Sequence, residues 1–357
     1  MTQRAIVVAV ETRALHAAID AELDEFEALA RAAGAKILDR IVQRRDAVDA
    51  ATLVGSGKAS EIAQRAHDEG ANLLLVLNDL RPRQRKNLEK IIPLPIVDRT
   101  MLILDVFARH ARSREGKVQV ELAQLRYRQS NLIGAGAELS RLGGGIGTRG
   151  PGETKLEVDR RRIGQRIAAL NVALRDIRRQ RALRRSGPQR EPLVALVGYT
   201  NVGKSSLLNA MARSDAYVAD RPFATLDPTI RRAYLAPGSY VRLADTVGFI
   251  RDLPKELVTA FRATLEELRE ADLLVHVLDA SNPQWLAQRR AVEAILAQLE
   301  LDGVPLLAVF NKCDRAVPET LVQDGALYVS AKTAEGLDSL RAAIHRRVAA
   351  IKGVEKE

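Results

Sequence analysis

Gly198-Tyr199-Thr200-Asn201-Val202-Gly203-Lys204-Ser205 has the form G-x-x-x-x-G-K-S. The apolar run Leu193-Val194-Ala195-Leu196-Val197 before it reads as a buried strand, and Ser206-Leu207-Leu208-Asn209-Ala210-Met211 after it reads as a helix. In that strand–loop–helix setting the pattern has mechanical meaning. Glycine lets the backbone curl until successive N–H groups point at phosphate oxygens. The helix N-terminus adds partial positive charge at the same spot. Lys204 is expected to reach the β and γ phosphates, and the Ser205 hydroxyl to ligate Mg2+. The nucleotide contact is expected to run from Gly198 through Ser206. A chance glycine turn before a helix is the plain alternative, and the fitting context on both sides disfavours it.

Further motifs follow in order, each at the carboxyl end of an expected strand. Asp245-Thr246-Val247-Gly248 follows the strand 240–244 and gives the D-x-x-G form. Asp245 is expected near Mg2+, and the Gly248 N–H against the γ-phosphate. Between this motif and the phosphate loop lies Pro222-Phe223-Ala224-Thr225-Leu226-Asp227-Pro228-Thr229. A switch loop needs a threonine there to cap Mg2+ and sense the γ-phosphate. Thr225 is the first choice, Thr229 the second, and an ordinary loop hydroxyl the alternative for both. Lys204, Thr225 and Gly248 are thus the expected catalytic groups, and Ser205, Thr225 and Asp245 the expected metal ligands.

The strand Leu306–Phe310 leads into Asn311-Lys312-Cys313-Asp314, an N-K-x-D motif. Its chemistry selects guanine. A carboxylate at Asp314 can accept from both the ring N1–H and the exocyclic amine, a donor pair that adenine lacks, and such a site rejects analogues lacking the group. Asn311 is expected to support base and loop, and the Lys312 stem to lie over the base. After the strand 327–329, Ser330-Ala331-Lys332 offers backbone N–H groups to the guanine O6. Motifs at successive strand ends are the arrangement of a doubly wound parallel sheet.

The rest of the chain points elsewhere. Residues 111–190 hold 19 Lys and Arg, 17 of them Arg, against 7 Asp and Glu; the remainder holds 36 basic and 38 acidic residues, so the net charge of +10 is concentrated in mid-chain. A charge run can be a merely solvated face. Arginine's fork, however, suits bidentate phosphate contact, and polyanion binding is the better reading. Leucine and isoleucine spacing predicts two helices here, the second with the stripe Ile163, Ile167, Leu170, Leu174 and Ile177 of a helical hairpin or short coiled coil. Between them, Gly134–Gly152 carries eight glycines in 19 residues and predicts an irregular loop. Arg141 and Arg149 in that loop, with Lys155, Arg160, Arg161 and Arg162 beyond it, are the candidate RNA contacts; a plain linker is the alternative.

Residues 1–100 predict a small α/β domain: strands at 5–10, 36–42, 73–77 and 94–97, and helices at 12–33, 58–69 and 82–91. Gly55-Ser56-Gly57-Lys58 lacks the full phosphate-loop pattern, has Ala59 where a hydroxyl is needed, and reads as a turn starting a helix. One cysteine, Cys313, excludes an internal disulfide framework and fits a reducing compartment. No run approaches the ~20 apolar residues of a membrane span, and no secretory signal is evident. The expected fold is therefore α/β: an N-terminal α/β domain (1–100), a basic helical hairpin (101–188) with a glycine-rich loop (134–152), a P-loop GTPase domain (189–351) and a short tail (352–357). Arg184–Arg190 is read as the linker into the GTPase domain.

Residues 192–350 resemble a translation-factor-type small GTPase domain. Gly-Tyr-Thr-Asn-Val-Gly-Lys-Ser, Phe-Ala-Thr-Leu-Asp-Pro-Thr (223–229), Asp-Thr-Val-Gly-Phe-Ile (245–250), the glycine loop, Asp98-Arg99-Thr100 and Gly116–Leu125 together resemble the HflX family of ribosome-associated GTPases. The resemblance covers nearly the whole chain. It implies binding to GTP, GDP and the large ribosomal subunit with its RNA, separation of stalled or stressed ribosomes into subunits, and reach of the loop 134–152 toward the peptidyl transferase centre. It also implies ATP binding by the N-terminal domain in some members, for which this sequence offers no clear site. A monomer in the cytoplasm, peripheral membrane contact included, is expected. Many members carry a further small C-terminal domain, and its lack after Glu357 is expected to affect splitting and the ribosome footprint. Phe249 follows D-x-x-G where Ras-like enzymes place a water-orienting Gln, as in hydrophobic-substituted GTPases, so intrinsic hydrolysis is expected to be slow. A large-subunit assembly GTPase and a GTP-regulated RNA-remodelling protein are the alternatives.

Overall fold

The structure, a computed structural model, describes residues 3–12, 19–142, 155–185, 191–212, 222–223, 229–251, 254, 257, 268–301, 303–315 and 326–354. The chain divides into two compact units, residues 1–109 with 117–175, and residues 110–116 with 176–357. Among the described residues no helix is long and apolar enough to cross a membrane.

The first unit is built on β1 (Gln3–Glu11), β2 (Ala35–Arg44), β3 (Leu73–Val76) and β4 (Ile96–Asp98), with α1 (Ile19–Ala32), α2 (Ser56–Asp68), α3 (Pro82–Ile91) and α4 (Arg99–His110) between and after them. The strands form one parallel sheet in the order β2-β1-β3-β4. Residues 5–11 of β1 and all of β3 are buried, which explains their unbroken apolar runs. Gly55-Ser56-Gly57-Lys58 is indeed a helix start: Gly55 caps α2 at φ 84°, and Lys58 Nζ pairs with Glu61 at 2.6 Å. α4 had no counterpart in the sequence reading and runs through the expected boundary at 100–101. Its signal is Asp98, whose carboxylate accepts the Met101 N–H at 2.9 Å as a helix cap. Fully buried Asp98 also accepts from Arg85 Nη2 at 2.5 Å and from the Tyr127 hydroxyl.

Tyr127 belongs to α5 (Arg114–Leu142), and α6 spans Lys155–Arg185. Residues 134–142, read above as the start of the glycine loop, continue α5 instead. Two glycines cost about 1 kcal/mol each in a helix, and the strong helix formers Ala135, Ala137, Glu138 and Leu139 offset them. Arg184 and Arg185 of the expected linker likewise still belong to α6. Leu170 and Leu174 of the expected stripe are buried, with Ile163, Ile167 and Ile177 half-buried. Arg166 clasps Glu121 through two bonds, 2.7 and 2.9 Å, and so joins α6 to α5.

The second unit carries β5 (Leu193–Gly198), α7 (Lys204–Ala212), β6 (Thr229–Ala236), β7 (Ser239–Asp245), β8 (Leu273–Asp279), α8 (Trp285–Gln298), β9 (Leu306–Asn311), β10 (Leu327–Tyr328) and α9 (Leu337–Val354). α9 extends into the stretch read as a tail. The sheet order is β10-β9-β8-β5-β7-β6, parallel except for β6 against β7. β5 and β8 are buried along their whole length. β6, also unanticipated, buries only Ala233 and Leu235, so it lacks the apolar run of its neighbours.

His276 interrupts the apolar run of β8. Its ring is fully buried, and among the described residues neither ring nitrogen has a hydrogen-bond partner. Burial pushes its pKa down to about 4; Glu293 opposes this, while Arg289 and Lys204 add to it. The unfolded chain therefore takes the proton first, so stability is full above a pH of about 6.5 and falls as pH drops toward 4. Between pH 7 and pH 5 this group should remove about 2 kcal/mol from the stability of the second unit. Urea denaturation at the two pH values should show that loss, and His276→Leu should abolish this share of it.

Candidate nucleotide site

Parallel strands bring their carboxyl ends to one edge, and there the separate motifs meet. β5 ends at Gly198 and α7 begins at Lys204, so the intervening loop has the expected strand–loop–helix setting. Gly203 lies at φ 92°, and a Cβ there would stand 2.3 Å from Asn311 Nδ2. No other residue type fits without displacing Asn311. The Asn311 amide donates to Val202 O at 2.8 Å, and its oxygen accepts the Ala331 N–H at 3.1 Å. One buried side chain thus links the phosphate loop, the N-K-x-D loop and the Ser330-Ala331-Lys332 loop.

Lys312 adds a second tie. It sits at φ 66°, and its ammonium donates to Asn201 O and to Asp279 Oδ2, each at 2.7 Å. The sequence reading missed Asp279, although its place as the last residue of a buried strand at the loaded edge was a usable signal. In this arrangement the Lys312 stem crosses from the base-recognition loop to the phosphate loop. Asp314 is exposed and accepts the Ser330 hydroxyl at 2.7 Å. That bond, above all, holds its carboxyl below the usual range and so keeps it ionised, as an acceptor of two donors must be. The Ser330 oxygen also accepts the N–H groups of Lys332 and Thr333 at 3.3 and 3.1 Å, which fixes the turn.

The D-x-x-G segment is fastened to the phosphate loop by its backbone. Phe249 N–H donates to Gly198 O at 3.0 Å, and Thr200 N–H donates to Phe249 O at 2.8 Å. Thr246, also missed from sequence, donates its hydroxyl to Leu196 O at 2.6 Å. Gly248 passes so close that an added Cβ would lie 2.9 Å from Thr200 Cα and 3.2 Å from Lys204 Nζ. The Phe249 ring is 2 % exposed and packs inward. Tyr199 contributes its hydroxyl, which accepts the Arg251 N–H at 2.9 Å.

Lys204 is buried, and its ammonium donates to the carbonyls of Gly198 at 3.1 Å and Tyr199 at 2.9 Å. Burial pushes its pKa down to about 8, opposed by the Asp245 carboxylate. A cation so placed gains from an anionic ligand that replaces the lost hydration. Ser205 Oγ donates to Asp245 Oδ2 at 2.5 Å. A hydroxyl and a carboxylate oxygen set side by side are hard oxygen donors suited to Mg2+, which takes few protein ligands and completes its shell with phosphate and water. Ser206 follows in the first turn of α7.

Thr225 lies outside the described residues. Thr229 heads β6 directly opposite Asp245. Arg149 is also outside them, and Arg141 and Lys155 are placed only as backbone of α5 and α6. Arg160, Arg161 and Arg162 are exposed on α6.

Three family models match along the chain: a GTP-binding GTPase N-terminal region over 20–108, a GTP-binding GTPase middle region over 110–187 and a 50S ribosome-binding GTPase over 193–312. The GTPase HflX of Caldanaerobacter subterraneus subsp. tengcongensis is 48% identical over 351 residues, 97% of this chain and 81% of that protein. The GTPase HflX of Escherichia coli K12 is 43% identical over 336 residues, 92% of this chain and 79% of that protein. Among solved structures, SsGBP in complex with GDP shares the fold at a TM-score of 0.53 and 23% identity, covering 98% of this chain and 99% of that one. With motifs, sheet order and relatives in agreement over nearly its whole length, the chain belongs to the HflX family of GTPases.

Proposed function

We propose that this GTPase binds the large ribosomal subunit in its GTP state and separates stalled or stressed ribosomes into subunits. The observation that carries the reading is the exposed triplet Arg160, Arg161 and Arg162 on α6, in a chain that also carries a nucleotide loop tied to its guanine-reading motif through Asn311. The match of residues 193–312 to a 50S ribosome-binding GTPase supports it. Arginine forks on one helix suit the phosphates of folded RNA.

In the proposed nucleotide cycle, Asp314 accepts from guanine N1–H and the 2-amino group, and the Ala331 and Lys332 N–H groups face O6. The N–H groups from Gly198 to Ser206 cradle the phosphates. Ser205 and Asp245, with Thr225 from the switch loop, would hold Mg2+, which would supply positive charge to neutralise the triphosphate. Lys204 offsets negative charge on the transferring phosphoryl group, and the Gly248 N–H senses the γ-phosphate. A water oxygen bonds to the γ-phosphorus as the bond to the β–γ bridging oxygen breaks, leaving GDP and phosphate without a covalent enzyme intermediate. Phe249, buried and apolar, cannot orient that water, so the missing group is assigned to the ribosome. Loss of the γ-phosphate then frees the switch segments and releases the protein.

Asp314→Asn replaces one of two acceptors with a donor. It should weaken GTP binding by about 100-fold or more while favouring xanthosine triphosphate, whose C2 carbonyl suits a donor; competition titration reads both. For the ribosome, sedimentation of intact ribosomes with the protein and a non-hydrolysable GTP analogue should yield free subunits. Replacing Arg160, Arg161 and Arg162 by Glu should abolish this, leave GTP affinity intact and reduce the salt slope of ribosome binding by about 3. Ribosomes that stay whole while immature large subunits retain the protein would favour an assembly role instead.

A further inference from the structure

A cavity of about 450 Å³ opens between the β6–β7 hairpin and α9, on residues the nucleotide site does not use. The size lies within the roughly 300–1,000 Å³ of small-ligand pockets. Its floor is apolar, with Met211 and Leu235 buried. Tyr234 and Tyr240 form one wall, edge to face at 5.6 Å and 68°. The face of Tyr240 is already taken by the Arg232 guanidinium at 3.8 Å. Tyr234, on the edge strand β6, is 46 % exposed, and its contact with Tyr240 holds it in place.

The opposite wall is basic. Arg341 faces the cavity while paired with Asp338 at 2.7 Å, and His345 is fixed by Ser239 at 2.9 Å. Arg346 has no ion-pair partner among the described residues. Three guanidinium groups line the cavity; Arg232 pairs with Glu191 and Arg341 with Asp338, each at 2.7 Å, which leaves Arg346 as the cation without a carboxylate among the described residues. A basic wall facing an exposed, pre-positioned aromatic ring is the combination that binds single-stranded nucleic acid, with the base stacked and the phosphate paired. An acidic peptide would use the charges but not the ring.

We propose that this cavity takes an unpaired nucleotide of RNA, its base stacked on Tyr234 and its phosphate held by Arg346 and Arg341. None of its lining residues belongs to α6. The β6–β7 ladder connects it to the candidate nucleotide site: Tyr234 pairs with Tyr240 near one end and Thr229 with Asp245 at the other. That separation is about 17 Å along the strands, at about 3.4 Å per residue.

The test compares a short single-stranded oligonucleotide with an abasic one of equal length, each titrated into the full chain. The base-bearing strand should bind about 5- to 150-fold more tightly, the range that stacking on one aromatic ring gives. Tyr234→Ala should erase that preference, Tyr234→Phe should keep it, and Arg346→Glu should weaken both strands alike. Unchanged GDP affinity verifies that each variant is folded. Replacing Arg160, Arg161 and Arg162 by Glu should lower overall affinity but leave the base preference, so the ribosome reading and this one fail independently. A base preference that survives Tyr234→Ala, or displacement by an acidic peptide where oligonucleotides bind no better than abasic strands, would overturn the proposal.

Discussion

The Asn311 carboxamide is the constraint on which the site depends. It is 2 % exposed, and both its ends are satisfied by backbone of other loops, Val202 O on one side and Ala331 N–H on the other. A buried amide with one partner missing costs about 1–3 kcal/mol. The three loops are therefore held in register as a set: the phosphate loop cannot relax without orphaning the base-recognition loop. Gly203 belongs to the same constraint, because any side chain there would occupy the space of the Asn311 amide. The Lys312 ammonium, shared between Asn201 O and Asp279, closes the frame from the other side.

Within that frame stand the groups that the proposed cycle assigns to the nucleotide. Lys204, buried with a pKa near 8, donates to the carbonyls of Gly198 and Tyr199 and feels the Asp245 carboxylate, so an anionic ligand would restore what burial took away. Ser205 and Asp245 face each other as ready oxygen ligands. The D-x-x-G backbone is zipped to the loop through Gly198, Thr200 and Phe249. At the position where Ras-like enzymes set a water-orienting amide stands a buried phenyl ring, which offers no hydrogen-bonding group.

Legibility followed burial. The phosphate motif could be read because it ends the fully buried apolar strand Leu193–Gly198, and the guanine motif because it ends Leu306–Asn311, which is apolar up to its last residue and buried over its last three, and such strands leave an unbroken hydrophobic signal. β6 could not be read the same way, since Ala233 and Leu235 alone face the core. α4 hid behind an aspartate whose capping role appears only with its bond to Met101 N–H. The glycines at 134 and 136 misled because helix formers around them outweigh their cost, so α5 runs on to Leu142. Asp279 and Thr246 escaped because their partners, Lys312 and Leu196 O, are distant in sequence and meet only at the sheet edge.

The central claim is that the nucleotide loop is a holding site completed by the ribosome. Single-turnover GTP hydrolysis, measured for the chain alone and with purified large ribosomal subunits, tests it most directly. Slow turnover alone, accelerated by about 10³-fold or more when the subunit is added, is the predicted result, on the scale that a missing catalytic group supplied in trans provides. Rapid turnover by the isolated chain, with nothing gained from the subunit, would contradict it.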